Sequence, residues 1–352
     1  MNQKFKNKFF YFKIKYPLLK LGFLYLFIGL LFSCFAFLFI PDKSKNANEM
    51  ILELSNIPPG SSQHILKLHS NTDNKTSTNL RSFIFGKDRD YEIHAIDFYE
   101  YKNDTLFFRK INSKFLSKLN ISENKFSVKK RVFILGSDRF GRDFFSRLVL
   151  GFRVSLVIGL FSVLISVFIG VFLGIIAGYY KKADNYIMWI INVFWSIPTL
   201  LLVIVISLVL GKGFWQVFLA IGFTMWVDIA RIVRGQVKVI VNQEFIESAK
   251  SIGASDFRIL FFHIMPNLFS LILILGANNF ATAILLESGL SFLGIGVQPP
   301  TPSWGAIIRD NFSHITMNNS YLAIYPGVLL MLLILSLIFI GNGLRDKLDI
   351  KF

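Results

Sequence analysis

The sequence of 352 residues contains a single cysteine, Cys34, which lies inside an apolar stretch. A disulfide within the chain is therefore impossible, and no group of Cys and His residues has metal-site spacing. The phosphate-binding pattern G-x-x-x-x-G-K-[ST] is also absent, because Gly86-Lys87 and Gly211-Lys212 lack its other residues. The five histidines are scattered, and no Ser-His-Asp or Cys-His set is evident. We expect no catalytic, cofactor-binding or metal-binding residue in this chain.

Acidic residues are scarce: 22 Asp and Glu stand against 38 Lys and Arg, which gives a net charge of +16. Only 17% of the residues are charged, whereas 53% are hydrophobic and the mean hydropathy is +0.53. This composition is typical of a membrane protein with several spans. The Lys and Arg residues lie mainly at the edges of apolar runs, which favours contact with anionic lipid over nucleic acid.

Six apolar stretches are long enough to cross a bilayer as helices, which takes about 20 residues each. Pro198 is expected to kink the third stretch. Gly170, Gly174 and Gly178 are four residues apart, which predicts close packing of the second stretch against another helix. The sequence therefore predicts an all-α polytopic membrane protein with six transmembrane helices. The six stretches are 21–40, 154–180, 185–211, 213–232, 268–296 and 321–341.

The charge pattern predicts the orientation. Residues 1–20 carry six Lys and no acid. No cleavage site of small residues follows the first apolar stretch, which favours a retained anchor over a signal peptide. Lys and Arg also mark the segment around Lys181, the segment after Arg231 and the C-terminus. We therefore expect a multi-pass protein of the bacterial inner membrane with both termini in the cytoplasm.

Residues 41–131 are rich in Asn, Lys, Ser and Asp. The run YEIHAIDFYEY, from Tyr91 to Tyr101, alternates weakly, and TLFFRKI follows after three residues, which predicts two strands. With the N-terminus inside, this segment is an extracytoplasmic insert between helices 1 and 2. It is either a small domain or a loosely ordered loop. Residues 132–352 then form a transmembrane domain with a five-helix core.

Residues 244–266, the elbow, have the pattern of a short helix, a turn and a second short helix. Phe245, Ala249 and Ile252 recur at i, i+4 and i+7, which places them on one helix face. Gly253 can take the left-handed conformation that ends a helix. Ser255 or the residue after it can then cap the next helix.

In the second part of the elbow, Phe257, Leu260, Phe261 and Ile264 again recur at helical spacing, and a new helix can begin at Pro266. By periodicity alone, two interpretations are equally supported. The elbow is either a connector lying on the membrane surface or an amphipathic element whose apolar side chains enter a groove of another protein.

Charges of both signs lie close together in residues 136–156. Asp138, Arg142 and Asp143 are expected in a polar turn that enters an amphipathic helix at the membrane surface. They form either local ion pairs, which contribute about 0–1 kcal/mol when exposed, or a functional element, which is a lock between subunits or a contact for an external partner. Glu287 is an acid in an apolar span, which makes it a gating candidate. We favour a structural bond to a neighbouring helix or to water.

Four stretches resemble the permeases of dipeptide/oligopeptide (peptide/nickel) ABC importers, and they follow the family order over about the last two thirds of the chain. They read GSDRFGRDFFSRLVLGFRVSL, ESAKSIGASDFRILFFHIMPN, LLESGLSFLGIGVQPPTPSWGAII and NGLRDKLDIKF. The elbow resembles the EAA loop, whose pattern is Glu-Ala-Ala, then Gly, then Ile-x-Leu-Pro. Residues 41–131 are much longer than the usual connection in the family. The departures within the elbow are Ser248, His263 and Met265.

The resemblance implies a translocation subunit and not an enzyme. It implies a second homologous permease, two ABC ATPase subunits that bind the ATP, and an extracytoplasmic solute-binding protein that delivers a peptide or a similar small solute. It also implies that the elbow docks onto an ATPase. The elbow residues to which this role carries over are Phe245, Glu247, Ser248, Ala249, Ile252, Gly253, Ala254, Phe257 and Pro266.

Two other classes compete with this interpretation. A stand-alone ion-coupled secondary transporter predicts paired charges at mid-membrane and an inverted repeat, and the sequence shows neither. A membrane-anchored receptor would have its main function in residues 41–131, which leaves the five further spans without a role.

Overall fold

The computed structural model describes residues 16–69, 86, 91–121, 125–316 and 319–348. Five helical runs in this part of the chain are long and apolar enough to cross a membrane: α1, α3, α6, the continuous run Asp256–Phe292, and α11. A bent pair, α4 and α5, adds a sixth if it is counted as one span. The helices are α1 Pro17–Cys34, α2 Ala36–Phe39, α3 Phe144–Tyr179, α4 Lys181–Trp195, α5 Thr199–Leu210, α6 Phe214–Val241, α7 Glu244–Ser251, α8 Asp256–Ile259, α9 Met265–Phe292, α10 Trp304–Asn311 and α11 Tyr321–Leu348.

The chain divides into two compact units. The first comprises Met1–Ile28, Ser155–Gln298 and Leu329–Phe352, and the second comprises Gly29–Val154 and Pro299–Val328. The first unit is helical and contains most of the apolar runs. Its largest described core joins α3, α6, the elbow and α9 through buried aliphatic side chains. This unit confirms the predicted polytopic helical fold.

The glycines of α3 let it approach α6 closely. A Cβ atom placed on Gly174 would lie 2.7 Å from the carbonyl oxygen of Ala230, and one on Gly178 would lie 2.5 Å from Cβ of Val237. Only glycine fits such contacts, because any side chain would push the two helices apart. The predicted close packing is confirmed.

Pro198 does more than kink the third apolar stretch. The stretch is two helices, α4 and α5, which meet at 90° across a short break. Proline removes a backbone donor and clashes with the preceding turn, and it also disfavours helical geometry at Ile197. The predicted single kinked helix is therefore two helices joined at a sharp bend, which is the form of a broken span or of a re-entrant loop.

In the part of the second unit that the structure describes, five strands form an antiparallel sheet of order β4-β3-β2-β1-β5. Both predicted strands are present, as β2 and β3, but the other three were missed. One small core forms on each face, around Ile65 on one side and Leu66 on the other. The all-α class therefore holds for the membrane-spanning part, whereas the insert is a β-domain. The strands are β1 Ser61–His69, β2 Tyr91–Lys102, β3 Thr105–Lys110, β4 Ser117–Asn120 and β5 Phe126–Phe133.

Trp304, at the start of α10, lies in the core of the second unit. Its indole N–H donates to the carbonyl of Leu148 at 2.9 Å, and its ring packs against Phe152. Ser303 caps α10 by accepting from the backbone N–H of Ala306. A tryptophan after a proline-rich turn suggests an anchor at the membrane interface, but here the ring is buried within protein.

Candidate functional site

The first limb of the elbow is α7, and its sequence suits a short helix. Glu244 and Glu247 lie in its first turn and Lys250 in its last turn. Acids at the N-terminus and bases at the C-terminus complement the helix dipole. Ile246 is completely buried and Ala249 packs against the same core. One face of α7 is therefore fixed to the first unit.

The turn after α7 is a Schellman motif. Gly253 has φ +84°, which is the left-handed conformation that L-residues disfavour. Its N–H donates to the carbonyl of Lys250 at 2.9 Å, and the N–H of Ala254 donates to that of Ala249 at 3.1 Å. These two bonds satisfy carbonyls that a helix end leaves open. The predicted role of Gly253 as a helix terminator is confirmed.

The second helical part of the elbow, its second limb, begins with Ser255 as helix cap and with hydrogen bonds to Asp256, which we call the Asp256 clamp. Ser255 caps α8 by accepting from the backbone N–H of Arg258. The carboxylate of Asp256 accepts from the hydroxyls of Tyr179 and Tyr180, at 2.7 and 3.1 Å. Tyr179 is the last residue of α3 and Tyr180 follows it, so these bonds tie the elbow to the end of α3. This clamp was not predicted from the sequence, where the only signal for it is the pair of adjacent tyrosines before Lys181.

The second limb continues directly into α9. Leu260–Ile264 forms one π-helical turn, and Pro266 lies at the start of α9. In a regular α-helix the proline ring would clash with the carbonyl of the residue four positions earlier, and the wider π turn displaces that carbonyl. The expected new helix at Pro266 is therefore joined without a break to the limb before it.

The two predicted apolar faces are divided differently in the structure. Ala249 faces inward, but Phe245 and Ile252 of the same predicted face are exposed, and 86% of Ile252 is accessible. The inward anchor of α7 is Ile246, which the spacing Ile246, Ala249, Gly253 would have identified. The second limb is held by Ile259 and Ile264, both fully buried.

The outer surface of the elbow is apolar. Five large hydrophobic side chains are exposed on it, and the rings of Phe257 and Phe261 contact each other with centroids 4.5 Å apart. Glu247, Ser248 and Pro266 are also exposed. We call this surface the outer face of the elbow; its apolar members are Phe245, Ile252, Phe257, Phe261 and Phe262.

An ion cluster supports the helix that leads into the elbow. Asp184, in α4, accepts from Lys238 at 2.6 Å and from Arg234 at 2.9 Å. Both bases project from the last turns of α6, just before α7. Earlier in α6, Asp228 accepts from the indole N–H of Trp195, and the guanidinium of Arg231 lies over the same ring, 4.0 Å from its centroid. Trp195, in the last turn of α4, therefore contacts both Asp228 and Arg231.

Asp138, Arg142 and Asp143 are buried in the second unit, so the expectation of exposed ion pairs is wrong. The guanidinium of Arg142 donates to Asp138 at 2.6 Å and to Asp310 at 3.4 Å. Arg147 lies 3.8 Å from Asp138. The turn folds back on itself and α10 covers it, which removes water from the charges. The predicted local pairing of Asp138 with Arg142 is present, but its setting is a protein interior.

Asp143 caps α3. Its Oδ1 accepts from the backbone N–H of Ser146 at 2.7 Å. Burial raises the pKa of the Asp143 carboxyl to about 6, although the bonds to Ser146 act in the opposite direction. The residue is therefore a structural cap whose ionisation is costly.

Glu287 is completely buried in α9. Its carboxyl oxygens accept from the hydroxyls of Ser155 at 2.9 Å and Ser291 at 2.8 Å. Ser155 belongs to α3, so the bond joins two helices of the first unit. These hydrogen bonds are what the expected structural bond of Glu287 to a neighbouring helix predicts. A role of Glu287 in gating stays a prediction.

Among the described residues there is no group of three or more His, Cys, Asp or Glu side chains that could hold a metal ion.

Comparison with known proteins agrees with the sequence resemblance. Residues 170–351 match the family described as "Binding-protein-dependent transport system inner membrane component". The chain is 41% identical to the glutathione transport system permease protein GsiD of Pectobacterium atrosepticum, over 62% of this chain and 72% of that protein. It is 42% identical to the protein of the same name in Escherichia coli, over 61% and 71%.

Among solved structures, the chain is similar to the MetNI methionine ABC transporter in an inward-facing conformation. The TM-score is 0.48 at 18% identity, over 57% of this chain and 95% of that chain. Residues 41–131 lie outside the range matched by the family. In this family ATP hydrolysis belongs to separate subunits. The chain therefore belongs to the binding-protein-dependent transport system inner membrane components, as a membrane permease subunit of a peptide/nickel-type ABC importer rather than an ion-coupled transporter acting alone.

Proposed function

We propose that this permease imports a small peptide-like solute such as glutathione, delivered by an extracytoplasmic solute-binding protein. A second homologous permease completes the pathway, and two ABC ATPases power it. The names of the GsiD relatives support the solute class. The resemblance of the sequence motifs to peptide permeases supports the partners.

The proposal assigns docking onto the ATPase to the outer face of the elbow. One observation carries this assignment: five large apolar side chains are exposed on a segment whose inner side is fixed by fully buried isoleucines. Exposed aromatic side chains on a rigid support are typical of a protein contact, because little conformational entropy is lost when they bind. A helix that presents apolar anchors to a groove is a common recognition mode.

The same geometry suggests how ATP is coupled to transport. The second limb runs without a break into α9, and the Asp256 clamp ties the elbow to α3. A pull on the elbow is therefore transmitted to two long helices. ATP shifts the permease between states because the ATPases bind those states with different affinity.

The test places a charge at the turn and matches the backbone strain of that substitution with a control. A Cβ atom on Gly253 would meet no atom within 4 Å. Gly60 provides a matched control, since its φ is +79° and its surroundings are equally open. Gly253→Asp and Gly60→Asp therefore place the same charge on the same kind of backbone, once in the elbow and once in the insert.

We expect tagged Gly253→Asp to recover the second permease from mild detergent but to lose the ATPases, whereas Gly60→Asp recovers both. Co-purified subunits are identified by mass. Full recovery of the ATPases with Gly253→Asp would show that the elbow is not their docking site.

Solute and orientation need separate measurements. Vesicles containing the purified complex and its binding protein should take up labelled glutathione faster than Ni²⁺ when ATP is supplied. Preferential Ni²⁺ uptake would overturn the solute assignment. Protease-protected tags should place both termini and the elbow on the ATP side and residues 41–131 on the opposite side.

A further inference from the structure

A cavity of about 580 Å³ opens in the second unit, along strand β5. Pro41 and Ile134, which precede and follow the β-domain in the chain, are among the residues that line it. Its charged and aromatic lining includes Lys43, Lys67, Tyr91, Lys129, Lys130 and Arg131. All the charged side chains among the described lining residues are basic.

One carboxylate orders the inner part of this cavity. Glu49 is buried and accepts from Lys67 at 2.7 Å, from Arg131 and from the hydroxyl of Tyr91. Burial alone would raise the pKa of Glu49, but the two bases outweigh it and hold this pKa below its ordinary value. Glu49 is thus an anion that positions Lys67 and Arg131 along the cavity wall.

The rim keeps an excess of positive charge. Within the part of the chain that the structure describes, Lys43, Lys129 and Lys130 form no ion pair. Their side chains are exposed to solvent. Five Lys and Arg side chains line the cavity, and Glu49 pairs with two of them, Lys67 and Arg131, so positive charge remains in excess.

The fold explains why the bases converge. Among the described strands, β5 lies at the edge of the sheet and pairs with β1. Side chains alternate along a strand, so Lys129 and Arg131 lie on the sheet face that carries Lys67, and Lys130 lies on the other face. All of these residues line the cavity at this edge of the sheet. The register places Lys129 opposite Ile65 and Arg131 opposite Gln63, which brings them beside Lys67.

The ends of this cavity also adjoin apolar chain. Pro41 comes one residue after Ile40, and the exposed Leu38 and Phe39 precede it in α2. These side chains belong to the first apolar stretch, which is expected to lie in lipid. One residue advances the chain by at most about 3.6 Å, so Lys43 lies close to the point where the chain leaves that stretch.

We propose that this cavity binds a phosphate group, with the headgroup of an anionic lipid as its source. Several bases converging on a pocket next to an apolar segment are the usual chemistry of such recognition. Arg131 suits it well because a guanidinium presents paired donors to phosphate oxygens. The site would attach the β-domain to the membrane surface, apart from the elbow and from solute transport.

The test compares two variants of the full chain that remove the same charge. Lys129→Ala/Lys130→Ala changes the cavity, whereas Lys102→Ala/Lys118→Ala removes two exposed bases of the same β-domain outside it. Each purified protein is titrated with phosphatidylglycerol or phosphatidylcholine and examined by native mass spectrometry. A parallel arm measures binding of labelled inorganic phosphate by equilibrium dialysis.

The wild-type protein and the control variant should bind phosphatidylglycerol in preference to phosphatidylcholine, and the cavity variant should bind it about 30-fold more weakly. Inorganic phosphate binding that is lost in the cavity variant, without lipid preference, would keep the phosphate site and identify free phosphate as its source. Equal binding of both lipids and no phosphate binding would overturn the proposal. So would equal losses in the two variants.

Discussion

The two sides of the elbow should respond to mutation in opposite ways. Ile246 is fully buried on the inner side of α7, and Ile252, six residues later, is 86% exposed on the outer face. Ile246→Ala removes packing against the core around Val233 and Val237. Large-to-small changes of this kind cost about 2–5 kcal/mol of unfolding free energy. Ile252→Ala should cost less than about 0.5 kcal/mol of unfolding free energy, because this side chain is mostly exposed to solvent in the folded protein.

The binding readout should reverse this order. If Ile252 is an anchor in the ATPase groove, its truncation costs at least about 1 kcal/mol of binding, or roughly a fivefold weaker affinity. Ile246 does not reach the outer face, so Ile246→Val, which costs only about 0.5–1.5 kcal/mol of stability, should leave the affinity nearly unchanged. Ile246→Val therefore also serves as the folded control for a change on the inner side of α7.

Both readouts can be made on one preparation. Thermal unfolding in detergent, followed by tryptophan fluorescence, reports stability, and titration with the purified ATPase reports affinity. Relative to wild type, we expect a lower Tm with Ile246→Ala and weaker binding of the ATPase with Ile252→Ala. If Ile252→Ala binds the ATPase normally, or destabilises the chain as much as Ile246→Ala does, the division into inner and outer faces is wrong.

Three further predictions concern the buried charges. Arg142→Met should destabilise the chain by about 3–5 kcal/mol because it leaves buried acids without their partner, whereas Arg139→Met, at a site 45% exposed, should change the Tm little. The pKa of Asp143 is raised to about 6, so its contribution to stability is full below about pH 4 and is lost as pH rises through 6. The unfolding free energy of Asp143→Asn should therefore rise by about 3 kcal/mol relative to that of the wild type between pH 4 and 7. A difference in unfolding free energy that stays constant over this pH range would contradict this. Glu287→Gln should retain an acceptor for the Ser155 hydroxyl and fold normally, whereas Glu287→Leu should lower the yield of folded protein in size-exclusion chromatography; normal transport by Glu287→Leu would exclude a gating role.

The polar turn shows how local sequence can mislead. Asp138 and Arg142 are four residues apart, so their pairing was predictable. Their burial was not, because it depends on Asp310 and α10, more than 160 residues later in the chain. An ion pair that is worth little at a surface becomes costly to break once water is excluded.

The elbow shows the opposite case. Gly253 as terminator and Ser255 as cap follow from local backbone chemistry, and both predictions are confirmed. The Asp256 clamp was missed because its partners, Tyr179 and Tyr180, come from a helix end about 76 residues away. The face that points inward was also misassigned, since periodicity defines a stripe but not which side of a short helix meets the core.

The sequence by itself determined the membrane class, the apolar stretches and the family, because hydropathy, charge bias and motif spacing are local properties of the chain. It also determined where short helices end, through glycine, serine and proline. Only the tertiary structure decided which elbow residues are anchors and which are exposed, and that the insert is a five-stranded sheet with a basic cavity along its edge. Those features depend on contacts between distant segments, and burial is a property of the packed chain rather than of any one stretch.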